Sequence, residues 1–328
     1  MAPLDWLLDS DPSIRWQVLR DLADAPSDVV AAERARVAHE GWGARLLGLQ
    51  EPDGQWGGGT YHPYWTSTTF TLLLLRELGL DPACEAARRA ADLVQENLTL
   101  DDNGQPFFDG ETEPCINGMV LAAGAYFGHP STTIVERLLG EQLEDGGWNC
   151  EAPTSQRSSF HSTICVLEGL LEYERARRRE TEAAADQANH TTDPATGAPA
   201  RANEAGTERI RAARARAHEY LFERRMFRTL STGAVIDPDW TLFSFPTWWH
   251  YDVLRGLDYL RSAGVRPDER IAEVIDLVRD RRGDDGRWPL QNPHPGEVHF
   301  AMDEGEGRPS RWITLRALRV LRWAGHAG

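Results

Sequence analysis

Cys115 and His161 stand out in this 328-residue chain for the company they keep. Cys115 closes Glu113-Pro114-Cys115, His161 closes Arg157-Ser-Ser-Phe-His161, and His250-Tyr-Asp252 adds a second imidazole and a carboxylate. Each segment lies near the start of an apolar, helix-period stretch, so helices running the same way would present all three at one end. A thiolate, an imidazole and a carboxylate form a set that zinc accepts, and an open fourth position makes such a site catalytic. On this reading Glu113, Cys115 and His161 are metal ligands, with Asp252 the alternative carboxylate. His250 is either a fourth ligand or a general base, and His250 with Asp252 is the candidate catalytic pair. Cys150, in Trp148-Asn-Cys-Glu151, is a further candidate ligand, and Glu151 is a candidate for a second cation. Taken singly, Cys115 and Cys165 fit small buried hydrophobes, and each histidine fits a core imidazole bonded to backbone. Their joint placement is what points to a metal.

Other groups could meet a substrate. Trp240, Phe243, Phe245, Trp248, Trp249 and Tyr251 form a cluster able to stabilise a cation through the ring faces or simply to pack a core, and Trp248 and Trp249 are its candidate substrate contacts. Arg308, Arg311 and Arg316 lie at the last helical stretch. Arg311 is the candidate for an anionic substrate, set against a solvated face in which these arginines pair with Glu304 and Glu306. His62 and Trp65 are placed near the same mouth without a role.

The elements that must position these groups repeat. Gln50-Glu-Pro-Asp-Gly54-Gln-Trp56 and Gln142-Leu-Glu-Asp-Gly146-Gly-Trp148 share Gln, three residues, Gly, one residue, Trp; Asp284-Asp-Gly286-Arg-Trp288 keeps Gly and Trp with Arg282 in place of Gln, and Asp101 to Gly104 keeps the acidic turn. With Gly233 as a weaker member, successive glycines are 50, 42, 87 and 53 residues apart. Periods of this size mark stacked supersecondary units. Six apolar stretches, starting near Pro12, Tyr64, Cys115, Ser159, Thr247 and Ser310, fit enclosed inner helices. Charged amphipathic stretches between them, 29–47, 83–97, 132–142, 208–225 and 268–281, fit outer ones. The expected fold is all-α, an (α/α)6 toroid in a single domain over 1–328. The long interval holds an insertion at 176–207, nearly devoid of large apolar side chains and expected to be a mobile loop with a frayed helical start.

The Gln-x-x-x-Gly-x-Trp pattern resembles the QW repeat of squalene-hopene and oxidosqualene cyclases, whose superfamily of terpenoid cyclases and protein prenyltransferase β subunits alternates inner and outer helices. Glu113-Pro114-Cys115 resembles the acid-x-Cys zinc-ligand segment of the prenyltransferases, with Glu for Asp, and Phe160-His161-Ser162-Thr163-Ile164-Cys165 resembles their second ligand segment. The resemblance implies zinc that activates a thiol, and it makes Arg157 a substrate contact. Two family features differ. Phe107-Phe-Asp-Gly-Glu111 offers no base for a diphosphate, and the Asp-x-Asp-Asp acid of the cyclases is missing, Asp237-Pro-Asp239 having only its first half.

Composition closes other routes. A formal charge of −16 repels nucleic acid and anionic lipid over most of the surface. The longest apolar run, Phe70 to Leu75, is far short of the roughly 20 residues of a membrane span. Four cysteines do not make a disulfide scaffold, and the N-terminus lacks a basic n-region, so a cytoplasmic protein is expected. Three functions fit. The first is a zinc-dependent enzyme whose barrel cavity holds a peptide or an apolar small molecule, an isoprenoid for example. The second is a non-catalytic module binding a peptide or lipid, and the third a metal-independent cyclase using Asp239 or Asp252 as acid.

Overall fold

The computed structural model of the chain describes residues 2–101, 103–189 and 198–326, with backbone alone for 186–189 and 198–204. It is all-α. Among the described residues there is no strand, only isolated bridges such as Trp148 with Ser159 and Pro289 with Pro309. No helix among them is long and apolar enough to cross a membrane.

The repeat has a physical cause that recurs three times. The outer helices α4 (Gly41–Leu47), α8 (Thr132–Gly140) and α12 (Ala272–Asp280) each end in carbonyls that lack an intrahelical partner. The tryptophan after each turn satisfies one. The indole of Trp56 donates to Leu46 O at 2.8 Å, that of Trp148 to Leu138 O at 2.7 Å and that of Trp288 to Val278 O at 2.6 Å. Their backbone N–H groups donate to threonine hydroxyls on the helix that follows: Trp56 to Thr68 (3.2 Å), Trp148 to Thr163 (3.1 Å) and Trp288 to Thr314 (3.0 Å). Each tryptophan thereby pins the end of an outer helix to the start of an inner one while its ring is fully buried. Gly146 is required at the turn, because its φ is +99° and a Cβ would stand 2.6 Å from Arg216 O.

The enclosed helices are α2 (Pro12–Asp21), α5 (Thr68–Leu78), α7 (Pro114–Phe127), α9 (Phe160–Asn189), α11 (Val253–Ser262) and α13 (Arg311–Trp323). Nearly every residue of α7 is buried, whereas outer helix α6 (Glu85–Asn97) buries only Ala87, Ala90, Ala91 and Val94. Contacts pass along the enclosed helices and come back to the first. Trp16 of α2 donates its indole N–H to Leu78 O of α5 (2.9 Å), and α5 packs on α7. Helices α7 and α9 meet at Gly118 and Gly169, where a Cβ on Gly169 would lie 2.4 Å from Gly118 O. Arg255 of α11 binds Glu168 of α9 (2.9 Å), and Arg319 of α13 donates to Asp258 of α11 (2.7 Å) and to Gln17 of α2 (2.6 Å).

Several expected boundaries shift for local reasons. The outer stretch 29–47 is two helices, α3 (Ser27–Ala35) and α4, since Gly41 at φ +64° breaks it. The stretch expected to start near Thr247 becomes helical only at Val253: Trp248 has φ +51°, and Asp252 is the cap, accepting from Arg255 N. A short α1 (Pro3–Leu8) precedes the repeats and packs on α2 and α13. The 176–207 insertion enters and leaves as helix. α9 continues through the buried Ala176 to Asn189, and α10 (Ala198–Glu223) starts inside the insertion. Its centre, 190–197, lies outside the described residues, as does position 102 of the 101–104 turn.

Candidate metal centre

Glu113 is the N-cap residue of α7 and Pro114 its first residue, which puts Cys115 in the first turn of the helix. The loop before it is locked from inside. Buried Glu111 accepts from Glu113 N (2.6 Å) and from the Thr112 hydroxyl (2.7 Å), and Asn117 bonds the Glu111 backbone on both sides. Cys150 comes from the turn two residues after Trp148, so the repeat that anchors Trp148 also delivers this thiol. The sulfurs of Cys115 and Cys150 lie 2.8 Å apart, and Glu113 Oε2 is 3.4 Å from Cys115 Sγ. Ligand atoms of Glu113, Cys115 and Cys150 all fall within 4.8 Å of one another.

The two thiols share their protons unequally. Hydrogen bonding between them, then burial, pushes Cys115 far up. The same bond holds Cys150 below the ordinary thiol range, with help from the Ser162 hydroxyl 3.2 Å away. Cys150 therefore ionises first. Two sulfurs and a carboxylate are donors that zinc takes in three-ligand sites, and the exposure of Glu113 leaves one side reachable.

His161 does not belong to this group. Its Nδ1 accepts from Tyr251 N at 2.8 Å, and its ring faces Trp240, Trp249 and His250. The helix explains the substitution of ligand: successive residues of α9 point about 100° apart, so turning Ser162 toward Cys150 turns His161 toward Tyr251. The expected set of Glu113, Cys115 and His161 is thus corrected at its third member to Cys150.

The remaining candidates separate. Asp252 is a structural cap rather than an acid or ligand, with Oδ1 accepting from Arg255 N (2.8 Å) and Oδ2 from Ser244 N (3.2 Å); burial raises it to about 6. His250 stacks between Trp249 (3.7 Å) and His294 (3.6 Å). Burial holds His161 at about 4, His250 at about 3 and His294 at about 4, so all three imidazoles are neutral near pH 7. His250 Nδ1 and His294 Nε2 are buried and have no hydrogen-bond partner among the described residues. His294 carries no signal in the sequence, since it sits in Asn-Pro-His-Pro-Gly, a turn-rich stretch without periodicity. Arg157 is exposed and its carbonyl accepts from Asn149. Arg311 is held against Trp6, bonding its carbonyl and lying 4.5 Å over its ring.

Two cavities adjoin at Trp248, Pro246 and Leu74. One, of about 250 Å³, is apolar, lined by Trp65, Phe245, Leu290, His294 and Phe300 among others. Trp65 and Trp248 stack with parallel rings, their centroids 5.0 Å apart, at its wall. The other, of about 340 Å³, is lined by arginines and carboxylates. Compared with family models, curated proteins and solved structures, the chain matches none.

Proposed function

We propose that this chain is a zinc-dependent enzyme of the α/α toroid type, similar to prenyltransferase β subunits and squalene cyclases. Glu113, Cys115 and Cys150 hold the metal, and an apolar, isoprenoid-like group occupies the 250 Å³ cavity. The convergence of a carboxylate and two thiols from separate hairpins within 4.8 Å carries this reading. The QW-like turns and the circuit of helix contacts that returns to α2 support the toroid. Zinc, when bound, supplies Lewis acidity and lowers the pKa of a coordinated thiol or water. The chain contributes an exposed Glu113, an apolar wall at Trp65 and Trp248, and two imidazoles, His250 and His294, that burial keeps neutral.

Elemental analysis of protein purified without metal-affinity steps tests it. Expected is about one zinc per chain, as for a three-ligand site, lost in Cys115→Ser and in Cys150→Ser and kept in His161→Ala. Wild-type protein that neither carries zinc nor takes it up on addition, or zinc retained by both serine variants, refutes the metal centre.

A further inference from the structure

We infer that the arginine-lined cavity binds a small, multiply charged oxyanion, of the polycarboxylate or phosphate class. The cavity, about 340 Å³, is within the range of roughly 300–1,000 Å³ typical of small-molecule sites. Seven arginines line it against four carboxylates, an excess of three positive charges inside a chain whose formal charge is −16. A structural network would balance its own charges, and this one does not.

Arg316 shows the imbalance most directly. The residue is 4% exposed, its Nη2 bonds Glu77, and its Nε and Nη1 are buried without a partner among the described residues. The Phe245 ring, 5.1 Å away, covers the guanidinium face but cannot serve its N–H edges. Burial, then the charges of Arg319 and Arg76, push Arg316 down to about 9. Elsewhere in the wall one carboxylate serves three cations: Glu172 lies 3.5 Å from Arg76 and 3.4 Å from both Arg175 and Arg179. Among the described residues Arg34 donates only to neutral oxygens, Gly79 O at 2.8 Å and Tyr126 OH at 2.9 Å. Buried guanidinium N–H groups left unserved are costly, and the fork of donors matches the paired oxygens of carboxylates and phosphates. The expectation that Arg316 belongs to a solvated face is corrected here. That description fits Arg308, which is exposed and lies 3.5 Å from Glu304.

This inference does not rest on the metal centre, none of whose three residues lines the cavity. Isothermal titration of the full chain with citrate and with pyrophosphate, at matched ionic strength against a chloride control, tests it. Trp16 and Trp248 line the cavity, so their fluorescence gives a second readout. Expected is saturable one-to-one binding of at least one anion, weakened about tenfold or more in Arg316→Gln and in Arg34→Gln, and unchanged in Arg308→Gln and Cys150→Ser. The tighter of the two anions identifies the carboxylate or the phosphate class. Far-UV circular dichroism checks folding, and if Arg316→Gln does not fold, the less buried Arg34→Gln decides. No saturable binding of either anion, or equal weakening by Arg308→Gln, overturns the inference. Loss of binding in Cys150→Ser assigns the anion to the metal instead and overturns it as well.

Discussion

Gln142 Nε2 donates to the Ala213 carbonyl 2.8 Å away, across 71 residues of sequence and the whole 176–207 insertion, while also bonding Gly146 O at 2.6 Å. Gln50 does the same with Ala90 O and Gly54 O, both at 3.0 Å. One amide thus fastens its own turn to the outer helix of the following hairpin.

Removing that amide breaks both hydrogen bonds. Gln142→Ala and Gln50→Ala should each lose about 1–3 kcal/mol of stability. Arg282, which replaces glutamine in the third turn, bonds Gly286 O at 3.2 Å and lies over the Trp288 ring, with no hydrogen bond to a neighbouring hairpin among the described residues. Arg282→Ala should therefore cost less, about 1 kcal/mol or under. Urea unfolding of the three variants checks the order, and equal losses would contradict the bridging role of the two glutamines.

This relationship also shows how far the sequence could be read. Gln, Gly and Trp recur because each does one thing in the turns that carry it. The amide bridges, the glycine takes φ near +99° at Gly146, and the indole caps a helix end. Such fixed roles leave a periodic trace. The start of α11 left none, since Trp248 at φ +51° and the cap at Asp252 interrupt an apolar run that reads as continuous helix. The candidate metal group was half legible. Glu113 and Cys115 are two residues apart on one helix start, but Cys150 against His161 is decided by which way Ser162 faces, and composition does not encode that rotation. His294 and the cavity around Arg316 arise from packing between distant segments, beyond the reach of any local pattern.

The buried imidazoles set a pH dependence. His161 and His294 are held at about 4, and His218 and His250 at about 3, below the ordinary 6.5, burial being the first cause in each. Between pH 6.5 and about 4 the unfolded chain takes up protons that the folded chain refuses, so stability is full above that window and falls as the pH drops through it. Asp252 and Asp303, raised by burial to about 6, act in the opposite sense over part of the same range. Four groups outweigh two. Melting temperature should fall by several degrees from pH 6.5 to 4.5. His218 lies away from the metal centre, with Nε2 3.0 Å from Tyr259 OH, so His218→Gln should make that fall shallower without touching zinc content. A melting temperature that rises on acidification would reverse the assignment.

Arg255 holds the strained segment around Trp248 in place, and its removal should be the most damaging single change outside the apolar core. The guanidinium grips Glu168 with two bonds of 2.9 Å, and its Nη1 donates to Trp248 O at 2.9 Å and His250 O at 2.6 Å. Burial raises the Glu168 pKa, but the charge and bonds of Arg255 more than offset it and keep the carboxylate ionised. Arg255→Met leaves that charge enclosed with its main partner gone, a loss of about 3–5 kcal/mol. If the uncompensated carboxylate is the cause, adding Glu168→Leu should recover most of the loss, because an apolar pair of similar volume is tolerated where half an ion pair is not. The deficit that remains, about 1–2 kcal/mol, measures the two carbonyls of the Trp248 segment. Cys115 and Cys150 receive no bond from Arg255, so zinc content should be the same in the wild type, the single variant and the double variant. A double variant no more stable than Arg255→Met would instead place the whole cost in the release of Trp248 and His250, and the histidine stack would then be expected to loosen, read as restored proton uptake by His250 near its ordinary pKa.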